Sequence, residues 1–580
     1  MTVAIQSVWS IECKKTLQNS SDIPRLRPLV SVIVPIYNAA RYLPDAVQSV
    51  LGQEGICFEA DIQLILVNDG SADESGRLCE AYAQQYPNNT VYIQQGNCGV
   101  SAARNRGIEH ASGDYCYFLD ADDCLSERSL ADMLELFATL EDDGCQMLPF
   151  VAQRVIFFEG RQGEHRLNSK FDQGDRLIEL DAEPASFVMH VNSCLFRRQA
   201  LAASRFDEGL ELSEDACFIL DVLLANGMCY GVVSTSHINY RRRGDGSNSI
   251  AGKHLRKDWY VDTVERFYQR AFKEARSPDG SVLKFVQYMV MYDLQWRFLQ
   301  RGLAEIDVLT PDELNAYRQS LFDLVDEIDD DVIFAQRKLG RAHKVALLNL
   351  KYGHKWHRHL RITRSCSLFF GDLKLFNIKS SSTVDNISAY LDPSRKELIF
   401  EGFIRQNYGL PTLGYHFLWE ANGIVRELVV EQIRISERDV FLADQLVEIG
   451  RGFRLHLDPQ LPVQKLRCEC RFFGDDHGEA GPINSVPLHF RYRQSDGSYS
   501  SDSFQDQQLL GRYWLERSEA GVLIKKFRMR WLLRAELRRY RFEVQQGARR
   551  IPAAAAGLAQ IVTSLVRVVF CSVRSLDRQG

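Results

Sequence analysis

The sequence predicts an α/β domain built on an open parallel sheet, then a helical segment, then an antiparallel β-sandwich followed by a basic helical tail. Three patterns carry that expectation. From Leu29 to about Asp123, unbroken apolar runs alternate with helical segments. Between 251 and 364 apolar residues recur at helical spacing, and after about Ser380 they alternate one by one. Unbroken apolar runs are what strands need when both faces of a sheet are covered, and alternation bounded by hairpin turns marks an antiparallel sandwich. The expected boundaries are 29–250, 251–364, 380–520 and 521–580.

In the first segment the runs "LVSVIVPIY", "IQLILVND", "TVYIQQ" and "DYCYFLDAD" read as strands. "AARYLPDAVQSVLGQ", "ESGRLCEAYAQQY" and "GVSAARNRGIEHA" read as the helices between them. The second segment holds the amphipathic "SVLKFVQYMVMYDLQWRFLQRGL" and the acidic "LFDLVDEIDDDVIFAQ"; from Arg337 to Arg364 the sign reverses, with nine Lys or Arg, four His and no Asp or Glu. Period-two runs such as "KELIFEGFIRQ" and "KLRCECRFF" follow, punctuated by Asn422-Gly423 and Asp496-Gly497. Tyr415, Trp419 and Tyr492 within them are either sandwich core or sugar-stacking rings. Lys525 to Arg550 carries ten Lys or Arg against Glu536 and Glu543. The apolar stretch after it aligns Leu558, Ile561, Val562, Leu565 and Val569 on one helical face. That pair of stretches fits an anionic membrane surface, with a solvated or interdomain helix face as the other reading.

Bulk properties narrow the class. A chain of 580 residues is too long for one core, and its 45% hydrophobic and 25% charged content is that of a soluble protein. A formal net charge of -6 argues against nucleic acid as a partner. The N-terminus lacks the apolar core of a signal peptide, and no run is long enough to cross a bilayer. The 14 cysteines are scattered without metal-ligand spacing, so the expectation is a cytoplasmic chain with reduced thiols.

Four short segments fall where strands of the first domain should end: Pro35-Ile36-Tyr37-Asn38, Asn68-Asp69-Gly70-Ser71, "GVSAARNRG" from Gly99 to Gly107, and Asp120-Ala121-Asp122-Asp123. Carboxyl ends of parallel strands are where such sheets bind ligands. An aromatic ring, a carboxylate and an arginine suit a nucleoside diphosphate, and clustered carboxylates suit a hard divalent cation such as Mg²⁺ or Mn²⁺. Taken alone, Asp69-Gly70 is a turn, and Asp123 has a second reading as the cap of a helix beginning near Leu125.

"VSVIVPIYN", "LVNDGS", "GVSAARNRG" and "FLDADD", in that order, resemble the nucleotide-sugar domain of inverting family 2 glycosyltransferases, which have the Rossmann-like GT-A fold. The resemblance implies that Pro35, Tyr37, Asn38 and Asp69 line a nucleoside site and that Arg104 lies near the diphosphate. It makes Asp120-x-Asp122 the DxD element, with Asp122 on the metal. Inverting transfer needs a base for the acceptor hydroxyl. Glu214-Asp215 in "FDEGLELSEDACFILDVLLANG" resembles the family's Glu-Asp motif, with Asp215 as base and Glu214 as support or alternative. Read without the family, the pair simply sits at the positive end of a helix.

"INYRRRGDGSNSI", where relatives close the donor site, carries Arg241, Arg242 and Arg243 but no His after His237. Those arginines either neutralise a diphosphate or form a solvated face. The later segments resemble long bacterial members with a helical connector and a β-sandwich appendage. The resemblance thus implies transfer of a sugar, from a UDP-sugar in first place, to a cell-surface polysaccharide or lipid-linked glycan precursor, with the protein cytoplasmic or peripheral at the inner face of the membrane. Two alternatives stay open. A nucleotidyltransferase should show a Gly-rich, basic phosphate loop after the first strand, which "PIYNAARY" lacks. An inactive glycan-binding scaffold should have lost acidic motifs that this chain keeps.

Overall fold

The computed structural model describes residues 28–526 except for segments 143–147, 245–254 and 302–307 and short stretches between 354 and 520. Two compact units result: one runs to Gly353 and takes in Val440–Val447, and the other holds the remaining C-terminal residues.

The first unit is organised by one sheet of ten strands: β1 (Val30–Ile36), β2 (Ile62–Asp69), β3 (Thr90–Gln95), β4 (Tyr115–Phe118), β5 (Cys124–Leu125), β6 (Phe150–Glu159), β7 (Gly163–Glu164), β8 (Arg176–Glu179), β9 (Cys194–Arg197) and β10 (Cys229–Arg242). Their spatial order is β3-β2-β1-β4-β9-β6-β10-β5, with β7 beside β6 and β8 beside β10. The half read from apolar runs, β3-β2-β1-β4, is parallel throughout. Beyond it the sheet is mixed: β9 runs antiparallel to both β4 and β6, while β10 is parallel to β6. β9 is only "CLFR", too short for periodicity to reveal.

Helices α1 (Leu43–Leu51), α2 (Ser75–Gln85), α3 (Val100–His110), α4 (Ser129–Asp142) and α5 (Glu214–Asn226) cover this sheet. α3 lies hard against β1, because a Cβ built on Gly107 would come within 2.2 Å of Ile33 Cγ2. Only glycine permits that approach. β1 pairs with β4 only as far as Ile33 opposite Phe118, yet with β2 as far as Ile36 opposite Asn68. The sheet therefore opens between β1 and β4, the point where strand order reverses and α/β sheets receive ligands.

Residues beyond Thr263 in this unit are largely helical. A π-helical turn, Thr263–Gln269, runs into Arg270–Glu274, and α6 (Lys284–Phe298), α7 (Pro311–Asp326) and α8 (Arg341–Tyr352) follow. Thr310 starts α7 with a capping box, its hydroxyl accepting from the Glu313 N–H while the Glu313 carboxylate accepts from Thr310 N–H. These helices are not an independent bundle. Trp259, Phe267, Phe285 and Met289 belong to the same buried cluster as Phe118, Phe196, Phe206 and Phe218 of the α/β part.

The second unit contains a three-stranded sheet over 360–377 and two larger ones of six and seven strands. Pairing in the larger sheets is antiparallel apart from Thr383–Asp392 beside His489–Arg493. Phe417 from one larger sheet meets Phe453 from the other with ring centroids 4.5 Å apart, the face-to-face contact of a sandwich. Trp419 is buried and so belongs to the core, and Tyr415 is half-buried; the Tyr492 side chain lies outside what is described. Strands Leu413–Ala421 and Ile424–Glu427 pair antiparallel with Ala421 opposite Ile424, while Asn422-Gly423 and Asp496-Gly497 lie outside the described residues.

Gly521–Lys526, the first residues assigned to the tail, form a strand instead. The remaining basic and apolar tail, with its expected membrane contact, lies outside the described residues. Among the described residues no helix is long and apolar enough to cross a membrane.

Candidate active site

Two loops at the mouth of the β1/β4 opening are tied together by polar bonds. Asn38, left-handed at φ +48°, donates its N–H to Ser71 Oγ at 3.0 Å and accepts at Oδ1 from the Ala72 N–H at 2.8 Å. Ala39 and Ala40 donate their N–H groups to Ser75 Oγ and Asp73 Oδ2, each at 3.0 Å. Asn38 is thus occupied in shaping the site, while Tyr37 beside it is 53% exposed with its ring available. Pro35 is buried in β1 beyond the last β4 pair, where a residue without an N–H is tolerated on the open side.

Asp69 ends β2 almost fully buried. Its Oδ1 accepts from Gln95 Nε2 and the Cys98 N–H, and its Oδ2 accepts from the Gly99 N–H, all at 2.8 Å. Gly70 follows at φ +72°, where a Cβ would meet Asn97 N at 2.7 Å. The carboxylate therefore anchors the loop that leads into α3. A carboxylate offers about four lone-pair positions. Three are used, which leaves one on Oδ2.

Arg104 lies on α3, one turn before Gly107, with its side chain only 3% exposed. Nη2 donates to Asp120 Oδ1 at 2.9 Å, and Nη1 donates to Asp215 Oδ1 at 2.7 Å and Glu214 Oε1 at 3.1 Å. Burial acts to lower its pKa, but Asp215, Asp120 and Glu214 outweigh burial and raise it. Through Nη1 and Nη2 the guanidinium gathers three carboxylates from two separate motifs at one place, while its buried Nε has no hydrogen-bond partner.

Glu214 and Asp215 form the first turn of α5, and Asp215 Oδ2 also accepts from the Val191 N–H at 3.2 Å. Burial, reinforced by the charge of Asp215, pushes the Glu214 carboxyl up to about 8. One proton is therefore held within this pair at neutral pH. The cap residue is Ser213, left-handed at φ +66°, whose side chain makes no capping bond.

Asp120 and Asp122 follow β4 with side chains 28% and 24% exposed. Arg243 Nε and Nη2 donate to Asp122 Oδ2 at 3.0 and 2.8 Å. Burial and the neighbouring Asp120 raise the pKa of Asp122, with Arg243 acting against them. Asp123 is buried and accepts from the Arg241 N–H at 2.8 Å and from Asn192 Nδ2 at 2.7 Å. It does not cap a helix: Cys124–Leu125 pairs with β10, and α4 starts only at Ser129. Arg241 forms ion pairs with Asp45 and Glu159. Neither Arg241 nor Arg243 belongs to a solvated face.

No group of three or more His, Cys, Asp or Glu arranged for a metal occurs among the described residues. Asp120 and Asp122 nonetheless suit a divalent cation: both are hard-oxygen donors, both are partly exposed, and the charge of one raises the pKa of the other. Arg243 shares Asp122 with any such ion.

Sequence reading missed the segment His190-Val191-Asn192. Asn192 Nδ2 reaches Asp123 and, at 3.4 Å, Asp120, while its Oδ1 and His190 Nε2 are buried without partners. The imidazole stays neutral, its pKa lowered to about 4 by burial and then by Lys170. Gln95 and Arg243 were also passed over in these roles. The polar "HVNS" between apolar runs was the available signal for the first group.

Residues 31–203 match the family described as Glycosyl transferase family 2. The minor teichoic acid biosynthesis protein GgaB of Bacillus subtilis (strain 168) is 35% identical over 378 residues, 64% of this chain and 40% of GgaB. GgaA, also a minor teichoic acid biosynthesis protein of that organism, is 29% identical over 314 residues, 53% of this chain and 68% of GgaA. This chain thus matches well under half the length of GgaB. Among solved structures, S. aureus TarS aligns with a TM-score of 0.44 at 14% identity, covering 86% of each chain.

Proposed function

We propose, from the match of residues 31–203 to the family 2 glycosyl transferases, that the chain transfers a sugar from a nucleotide-sugar donor, a UDP-sugar in our reading, to a hydroxyl of a cell-surface polysaccharide or its lipid-linked precursor. The observation that carries this reading is the Arg104 guanidinium, which draws the acidic turn after β4 and the Glu-Asp pair of α5 onto one point. The names of GgaB and GgaA support a polymer of the cell wall as the setting. The reaction would then run on the cytoplasmic side, where nucleotide sugars are made.

In this reading Tyr37 stacks on the base, and the free Oδ2 lone pair of Asp69 accepts an imide N–H such as that of uracil. Pro35 and Asn38 hold the wall between them. Asp120 and Asp122 would hold Mg²⁺ or Mn²⁺, which when bound offsets the charge of a diphosphate leaving group. Arg243 lies beside Asp122 and supplies a second cation to that phosphate. Asp215 takes the proton from the acceptor hydroxyl as its oxygen attacks the anomeric carbon opposite the diphosphate, so configuration inverts. Arg104 aims Asp215, and Glu214, protonated at neutral pH, spares the pair a second adjacent charge.

Calorimetric titration of UDP, with and without Mn²⁺, against the wild type and the separate Asp69→Ala and Asp122→Ala variants tests the reading, with GDP and ADP as controls. Metal-assisted UDP binding that both variants lose is the expected result. A folded wild type that binds no nucleotide under any metal condition would refute it.

A further inference from the structure

The loop Phe206 to Ser213 delivers Glu214 and Asp215 to Arg104, and side chains of the helical segment hold that loop at three places. Arg266 Nη1 bonds both oxygens of Asp207 at 2.9 and 3.0 Å, Arg256 pairs with Glu211, and Ser213 Oγ donates to Asp293 Oδ2 at 3.1 Å. The first two are exposed ion pairs of the kind that contribute little. The third is different in kind.

Asp293 sits on α6 and also accepts from Tyr268 Oη at 2.5 Å. Arg297, one turn further along α6 and fully buried, donates from Nε to Tyr268 Oη at 2.6 Å and from Nη1 to the Trp259 carbonyl. Its guanidinium lies over the Trp259 ring, 4.3 Å from the centroid. Its Nη2 lies 3.8 Å from Asp293 Oδ2 as an ion pair but is buried without a hydrogen bond, so burying this arginine is costly to the fold. What the network does for the fold alone does not explain its outlet: it ends on the hydroxyl of a non-glycine residue at φ +66°, immediately before the two carboxylates. A serine in that conformation is held there by its surroundings.

We infer that Asp293, fixed by Tyr268 and Arg297, is a positioning residue that locks Ser213 in its left-handed turn and so aims Glu214 and Asp215. The inference rests on the reading of Asp215 as the base. It assigns a role in the chemistry to residues 259–297, which lie outside the matched family segment.

The test needs no acceptor. UDP release from UDP-glucose and UDP-N-acetylglucosamine in water is followed: water attacks the anomeric carbon, the bond to the diphosphate breaks with its electron pair leaving on UDP, and the proton of water passes to Asp215. kcat, KM and melting temperature are measured for the wild type and for Ser213→Gly, Asp293→Asn, Asp293→Leu and Asp215→Asn. Glycine accepts φ +66° freely, so Ser213→Gly should melt like the wild type while losing only the tether. We expect its kcat to fall by about tenfold or more, the scale of a misaimed catalytic group, with the donor KM within about twofold. Asp293→Leu should lose as much, and Asp293→Asn, whose amide oxygen accepts the same two bonds, should recover most of the rate.

A purely structural network would instead shift melting temperature and leave kcat per folded molecule unchanged in Ser213→Gly. That outcome, or an Asp293→Asn as damaged as Asp293→Leu, overturns the inference while leaving the base assignment intact. Full hydrolysis by Asp215→Asn, or no hydrolysis of either donor by the wild type, overturns the reading beneath it.

Discussion

Replacing Arg104 with methionine keeps most of the side-chain volume and removes the one cation shared by Asp120, Glu214 and Asp215. The contacts to Asp215 and Asp120, at 2.7 and 2.9 Å, are each worth several kcal/mol in gross Coulomb energy at an effective dielectric near 20. Most of that offsets the desolvation of the guanidinium. The net cost of removing one member of a buried network is about 3–5 kcal/mol, because the others stay buried and uncompensated. Side-chain exposures of 28%, 15% and 18% on the three carboxylates put the expectation at the lower end, about 3 kcal/mol near pH 8. Acid should relieve it. Arg104 is the charge that opposes the upward shift of Glu214, so without it that carboxyl holds its proton more firmly and the deficit should shrink as pH falls. Urea unfolding followed by tryptophan fluorescence at pH 5, 6.5 and 8 measures both quantities. A loss under about 1 kcal/mol at pH 8, or one that grows toward acid, would refute the account of Arg104 as the hub of the site.

The raised pKa of Glu214, about 8 against an ordinary 4.5, means the folded state keeps a proton that the unfolded chain has lost. Its contribution is full below pH 4.5 and is lost as pH rises through 8, so Glu214→Gln should gain on the wild type across that window by at most ~1.4 kcal/mol per pH unit; parallel stability curves would contradict this. Arg243→Gln frees Asp122 from an ion pair whose side chains are 20% and 24% exposed and which is worth about 1 kcal/mol, so Mn²⁺ affinity without nucleotide, read by electron paramagnetic resonance, should rise about fivefold; an unchanged affinity would show that Arg243 and the cation do not compete. Gly107→Ala drives a methyl group into Ile33 and should cost about 2 kcal/mol of stability, measurable by thermal melting, with UDP affinity falling too if α3 recoils from β1 and takes Arg104 with it.

How much of this was legible follows from what sequence patterns encode. β1 to β4 could be read because each is an apolar run between helices, and Asp69, Asp120 and Asp122 could be singled out because they stand at the ends of such runs, whereas Glu214 and Asp215 were singled out by the family resemblance alone. The partners of those residues could not. Arg104 was visible as a basic residue on α3, but its target depends on how closely Gly107 lets that helix approach the sheet. Asn192 reaches Asp123 across 69 positions, and Arg243 reaches Asp122 across 121, separations over which no local period carries information. Asp123 was open to a capping role because acids before a helix usually cap it, and the two-residue strand β5 that displaces the helix leaves no periodic trace.

The buried cluster that joins Phe206 and Phe218 to Phe267, Phe285 and Met289 bears on how such chains can be cut and recombined. A chain severed near residue 250 would present to water the apolar surface that α6 and its neighbours now cover, an invitation to aggregate. Swapping donor specificity between relatives by exchanging the sheet alone would set foreign helices against a mismatched core. In a laboratory chimera or in a genome, the unit that can move intact is the sheet together with its helices.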